Sequence, residues 1–158
     1  TTAKVTENYQ LFLDQLDEFL MGLDGRPTFI GGNLKLIAKI RACARRAGMY
    51  QVTKNDFGQQ IESYGDIPLV DFGEKSGSNE PIVPILTSGD TGCTSLYAAR
   101  ISLDGFHAVS PSGALPVKQW LPQFTEAGAV KKGEVEMIAT AALKATKAAG
   151  IMRKIKVQ

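Results

Sequence analysis

The sequence predicts one α+β unit over residues 1–158, a mixed sheet with flanking helices. Two observations carry this. Apolar residues recur at helical spacing in two early segments, 8–24 and 34–47. From residue 50 onward the pattern changes to short apolar runs bounded by glycine, proline and polar turns. Helices followed by many strands, rather than regular strand–helix alternation, point to α+β.

In residues 8–24, Tyr9, Phe12, Leu13, Leu16, Phe19, Leu20 and Leu23 make one stripe, with Asp14, Asp17 and Glu18 off it. Gly22, Gly25 and the turn Asp24-Gly25-Arg26-Pro27 stop the helix. Thr28-Phe29-Ile30 reads as a short buried strand ended by Gly31-Gly32. Asn33 is suited to N-cap a second helix over 34–47, with Gly48 closing it at C′. Ile37, Ile40, Ala44 and Ala47 line one side of that helix. Lys35, Lys39 and Arg46 line the other, with Arg41 and Arg45 between.

Residues 50–53 and 59–64 read as strands, and Gly65-Asp66 as a turn. Residues 67–71 form a further strand, which Pro68 makes an edge strand unless the proline stands at its start. Residues 75–81 and 88–92 are polar loops around an apolar run, 82–86, that Pro84 interrupts. Residues 96–103 alternate through Tyr97, Ala99 and Ile101. Pro111, Pro116 and Pro122 break up 104–128, which holds the single tryptophan, Trp120; no element is assigned there. Over 129–149 two readings stay open. Alanine content favours a helix across 136–149, whereas alternation through Val135, Met137, Ala139 and Ala141 favours a strand. Residues 151–157 read as a terminal strand, with Ile151, Arg153, Ile155 and Val157 on one face.

Composition excludes several classes. With 44% hydrophobic and 22% charged residues the chain is not of a disordered type. No run reaches the roughly 18 apolar residues of a membrane span. Cys43 and Cys93 read as free thiols in a reducing compartment, and a single histidine, His107, excludes a multi-histidine metal site. The chain opens at Thr1 without a signal-peptide pattern, as expected of a processed form or a piece of something longer.

Reactive constellations are missing as well. Cys43 and Cys93 lack the close spacing of metal ligands. His107 has Ser110 and Ser112 nearby but no Gly-x-Ser-x-Gly elbow, and nothing in the sequence orients a Cys93–His107 dyad. The loop at 88–95 lacks the Gly-Lys-Ser/Thr end of a phosphate cradle, and Asp90 would repel an anion. The sequence therefore assigns no catalytic residue, no metal ligand and no cofactor.

The net charge of +2 conceals segregation. Residues 1–24 carry −4, 33–48 carry +5, 54–90 carry −5 and 131–158 carry +5. Blocks of alternating sign suit a protein that meets copies of itself better than a simple nucleic-acid binder. The helix with Lys35, Lys39, Arg41, Arg45 and Arg46 can still neutralise phosphates. It lacks interleaved aromatics and any helix-turn-helix context.

Three segments carry a family resemblance. The first is Gly32-Asn33-Leu34-Lys35-Leu36-Ile37-Ala38-Lys39-Ile40-Arg41-Ala42-Cys43-Ala44-Arg45-Arg46-Ala47-Gly48. The second is Gly65-Asp66-Ile67-Pro68-Leu69-Val70-Asp71-Phe72-Gly73, and the third is Thr94-Ser95-Leu96-Tyr97-Ala98-Ala99-Arg100, followed by Gly105. In this order and spacing they resemble the major capsid proteins of tailed bacteriophages, over about 70 residues. The resemblance implies the phage major capsid fold, shared with herpesvirus capsid floor domains and encapsulins. It implies an axial-domain-like core at 33–103 and peripheral-domain segments at 1–32 and 129–158. The family's N-terminal arm and extended hairpin loop precede the matched region and have no counterpart here, so the chain is expected to be the C-terminal part. The alanine-rich stretch 134–149 departs from the family's aromatic-rich strand.

The function the resemblance implies is self-assembly into an icosahedral phage or prophage shell around the genome, without catalysis. Its partners would be copies of the chain in hexamers and pentamers, with scaffold or portal proteins, and packaged DNA through non-specific contact only; no membrane is involved. Its location would be the virion, assembled in the bacterial host cytoplasm. Inter-subunit contacts are expected at Lys39, Arg41, Arg45, Arg46, Asp66, Asp71 and Glu74, acidic surface meeting basic surface. The alternative is a DNA-binding or packaging accessory protein using the basic helix 33–48.

Overall fold

A computed structural model describes residues 8–49, 51–54, 58, 60–113, 115–122 and 130–157. The expectations for residues 50, 59 and 123–129 lie outside the described residues. Two helices are present, α1 (Tyr9–Met21) and α2 (Leu34–Arg46). Ten strands follow the chain: β1 (Phe29–Gly32), β2 (Gln51–Lys54), β3 (Gln60–Tyr64), β4 (Ile67–Asp71), β5 (Cys93–Ala99), β6 (Phe106–Val109), β7 (Val117–Trp120), β8 (Glu134–Met137), β9 (Thr140–Leu143) and β10 (Ala149–Lys156). Six form one mixed sheet in the order β10-β5-β1-β4-β3-β2, in which only β1 and β4 run parallel. The sheet thus takes β1 and β10 from outside residues 33–103.

The register decides what each face does, because directly opposed residues share a face. Ile30 opposes Leu69 and Ala98, and Ala98 opposes Gly150. That face meets both helices. Phe12, Leu13 and Leu16 of α1 and Leu36, Ile37, Ile40 and Cys43 of α2 join Ile30, Leu96, Ala98 and Ile155 in one buried cluster. The apolar stripe of α1 is the one its spacing predicts, with Tyr9, Phe19, Leu20 and Leu23 packed at its margins. Gly22 caps α1. In α2 the seam is Leu36, Ile37, Ile40, Cys43 and Ala44, whereas Ala47, expected on it, is exposed as the C-cap. Asn33 caps α2 by accepting a hydrogen bond from the Lys35 amide at 2.9 Å. Gly48 follows at φ +71°, a left-handed turn that suits glycine.

Four readings need correction. Gly31 and Gly32 belong to β1 instead of ending it, because the Phe72 ring lies against Gly31, and Leu36 and Leu96 close on Gly32. β4 is interior, and Pro68 stands near its start as the second alternative had it. Pairing with β3 covers Ile67 and Pro68, and pairing with β1 begins at Leu69. The proline's missing amide thus falls where the ladder changes partner. β5 begins at Cys93 and ends at Ala99, earlier than its alternation suggests. In β10 the alternation fails at a bulge between Met152 and Ile155, with Lys154 at φ +60°. Met152 and Ile155 therefore face inward while Ile151 is exposed.

The described residues of 104–149 resolve in favour of strands. β6 pairs with β9 and β7 with β8, both antiparallel, giving two successive two-stranded segments. They are joined where the Ile138 amide donates to the Pro116 carbonyl at 3.2 Å. The outgoing strand spends 110–116, with Pro111 and Pro116, where the return strand spends 138 and 139. The alanine-rich return adopts β because a helix would leave the outgoing backbone without a partner, and pairing overrides a propensity of a few tenths of a kcal/mol per residue. Among the described residues there, the helical piece is a 3₁₀ turn at Thr146–Ala148.

Candidate assembly surfaces

The charged residues singled out from the sequence do not form one patch. Arg41 of α2 pairs with Glu62 of β3, both partly buried, so the basic block 33–48 and the acidic block 54–90 meet inside the chain. Lys39 is half-buried on the same helix; Arg45 and Arg46 are exposed in its last turn, where cations complement the helix dipole. Asp66 sits in the β3–β4 turn at φ +64°, 3.2 Å from Arg26, whose guanidinium also donates to the Gly65 carbonyl at 2.8 Å. Asp71 lies at the other end of β4 and accepts from the Gly73 amide at 3.1 Å. Glu74 bridges to Pro81 at the neck of the next loop. Asp71 and Glu74 border an open groove of about 650 Å³ with Asn33, Lys35, Lys75 and Glu80.

The structure also separates the reactive residue types. Cys93 opens β5, while His107 lies beyond the other end of that strand, on β6. The six residue steps of strand from Cys93 to Ala99 span about 20 Å, so the two cannot form a dyad. Both cysteines are buried thiols, and burial pushes that of Cys43 up, against the opposing pull of Arg46 and then Lys39. Such a thiol is unreactive. Among the described residues no group of three or more His, Cys, Asp or Glu is placed to hold a metal ion. No described helix is long and apolar enough to cross a membrane.

Sequence reasoning missed two surfaces that expose large apolar side chains. The first is the sheet face opposite the helices. Phe29 opposes Ala99, and Tyr97 opposes both Gly31 and Ile151. Phe72 lies across Gly31 and makes edge-on contacts with Phe29 and Tyr97, at 6.0 Å and 5.9 Å between ring centroids. An open groove of about 760 Å³ follows, lined by these rings with Phe106, Leu143 and Ile151 and bearing one charged side chain, Arg153. Alternation of Phe29, Gly31, Tyr97 and Ile151 in register could have flagged this face, but only with the strand pairing known.

The second is the ribbon β6–β9. Its four strands are almost wholly exposed. On β7–β8, Val117, Gln119, Val135 and Met137 share one face, and Lys118, Trp120, Glu134 and Glu136 the other. Val135 is 70% and Trp120 50% exposed. A two-stranded ribbon left this exposed by the described residues is marginal in water, and apolar residues held at such exposure mark an interaction surface.

Sheet, helices and ribbon share their fold with a solved structure. The chain is similar to the encapsulin of the cryo-electron-microscopy structure of the holo-SrpI encapsulin complex from Synechococcus elongatus PCC 7942. The TM-score is 0.64 at 19% identity, over 91% of this chain and 49% of that one. The chain thus spans about half the length of that shell protein. No protein-family model matches the sequence, and no curated protein matches it.

Proposed function

We propose that this chain is a coat subunit that tiles with copies of itself into a closed shell, and that the shell is the icosahedral capsid of a tailed phage or prophage enclosing its genome. The observation that carries the reading is the fold shared with an encapsulin over nine-tenths of the chain. The three segments at 32–48, 65–73 and 94–105 favour the phage branch of that fold. In this reading the axial-type core is 33–103, flanked by peripheral segments 1–32 and 129–158. The partners are further copies in hexamers and pentamers, with a scaffold or portal protein, and DNA touches the shell without sequence preference. Assembly takes place in the bacterial cytoplasm and the product resides in the virion. The subunit performs no catalysis.

Electron microscopy of the full-length gene product tests the reading. Closed shells of uniform diameter are expected, and nuclease-protected DNA within them distinguishes a capsid from a compartment that holds protein. A product that stays small at every concentration and salt, yet binds DNA through the exposed cations of α2 with steep salt dependence, would instead establish the packaging-accessory reading.

A further inference from the structure

We propose that the distal end of the ribbon from one copy seats in the aromatic groove of the next, with Trp120 as its anchor. The contact rests on the shell-forming reading above and specifies which surfaces carry it. The groove is apolar, open and built on a rigid sheet, with Phe29, Phe72 and Tyr97 in mutual contact on its floor. Its charged group, Arg153, has no ion-pair partner among the described residues. The ribbon offers the complement. Trp120 is half-exposed and Glu134 lies directly opposite it; Glu136 shares the same face, where Lys118 stands opposite it. Glu134 is therefore the carboxylate nearest the indole that has no cation across the ladder. An indole opposed by a carboxylate thus meets an aromatic trough edged by a guanidinium, and a buried Trp beside a charge-assisted pair is the usual composition of an interface anchor.

Reach decides between the chain's own groove and a neighbour's. Phe106 and Leu143 at the ribbon root line the groove of their own chain. The return strand from Leu143 out to Glu134 covers up to about 30 Å at strand rise. The described lining of that groove takes Phe106 and Leu143 from the ribbon root and nothing from β7 or β8, so it is another copy that brings a groove to Trp120. The two surfaces differ, so the contact is head-to-tail and closes into rings or continues across a lattice.

The test uses the full-length protein with a photo-crosslinking benzoyl-phenylalanine in place of Trp120. Isotope-labelled and unlabelled copies are assembled together. Cross-links from position 120 are expected on peptides spanning 97–99 or 149–153 of the other isotope label. Cross-links confined to the same chain, or mapping elsewhere on the neighbour, overturn the proposal. A charge swap gives a second readout. Glu134→Arg with Glu136→Arg, or Arg153→Glu alone, should slow assembly at least tenfold, and combining them should restore most of the rate. Shells that form at the normal rate in every variant refute this contact and leave the shell reading standing. Unmodified protein that never assembles refutes the shell reading and this contact with it.

Discussion

The ring of Phe72 occupies the space above Gly31, where a Cβ would come within 3.0 Å of three ring atoms. This fixes why β1 carries glycine at position 31. The strand must pair with β4 and β5 and also leave room for a ring that ties Phe29 to Tyr97. Gly31→Ala should therefore cost about 1–3 kcal/mol as an overpacking change. Urea unfolding should show a lower midpoint with an unchanged slope. In a Phe72→Leu background the penalty should shrink, because the clashing atoms are gone. Equal penalties in both backgrounds would contradict the packing described.

Asn33 is 7% exposed and works in two directions. Its Oδ1 caps α2 at the Lys35 amide, and its Nδ2 donates to the Val83 carbonyl at 2.8 Å, pinning a segment 50 residues later. Asn33→Ala should lower stability by about 2–3 kcal/mol, the cap and the orphaned carbonyl together. Asn33→Ser should recover only the cap, about 1 kcal/mol. Thermal unfolding of the three proteins checks the split.

How much of this was legible beforehand follows physical lines. α1, α2 and their caps are local, set by a stripe, an Asn and a Gly within a few residues. The strands up to β5 were visible through alternation, though Gly31 and Pro68 misled because their roles depend on Phe72 and on the change of ladder partner. The ribbon was half legible: alternation through Val135, Met137, Ala139 and Ala141 offered a strand beside the helical reading of 136–149, but β6 and β7 are defined by partners some 14 to 37 residues away. The expected contact residues were chosen by charge alone, which cannot reveal that Arg41 already has Glu62 inside the chain.

Tyr64 is 4% exposed and donates its hydroxyl to Asp17 Oδ1 at 2.8 Å. Burial foremost, then the Asp17 hydrogen bond and the charges of Asp17 and Asp14, hold the phenol well above its ordinary value near 10. The folded state keeps this proton where the unfolded chain releases it. The stabilisation is thus complete below about pH 10 and declines as the pH rises further. Tyr64→Phe should cost about 1–2 kcal/mol at neutral pH and flatten the alkaline limb of the stability curve. Denaturant titrations at pH 8, 10 and 11 on both proteins measure this; parallel curves would contradict it.

Arg41 and Arg45 lie one turn apart on α2 and should behave differently. Arg41→Glu sets a second carboxylate beside the partly buried Glu62 and should destabilise the fold by about 2–3 kcal/mol, between the surface and buried limits for an ion pair. Arg45→Glu, exposed in the last turn, should cost less than about 1 kcal/mol through the helix dipole. Reversal of Arg45 without Arg41 is accordingly the variant that reports on contacts between copies. If it assembles normally, Arg45 is not part of the subunit interface.

Trp120, the single tryptophan of residues 1–158, sits half-exposed on the ribbon, so within these residues tryptophan fluorescence reports on the ribbon. Unassembled protein should show solvent-exposed emission that acrylamide quenches readily. When copies associate, the emission should move to the blue and quenching should fall several-fold, because the indole passes from water into the groove bordered by Phe29, Phe72 and Tyr97. Arg153→Glu should delay the spectral change in step with assembly measured by light scattering. Shells in which the indole remains as quenchable as in the free subunit would mean that the ribbon tip faces solvent and that another surface holds the copies together.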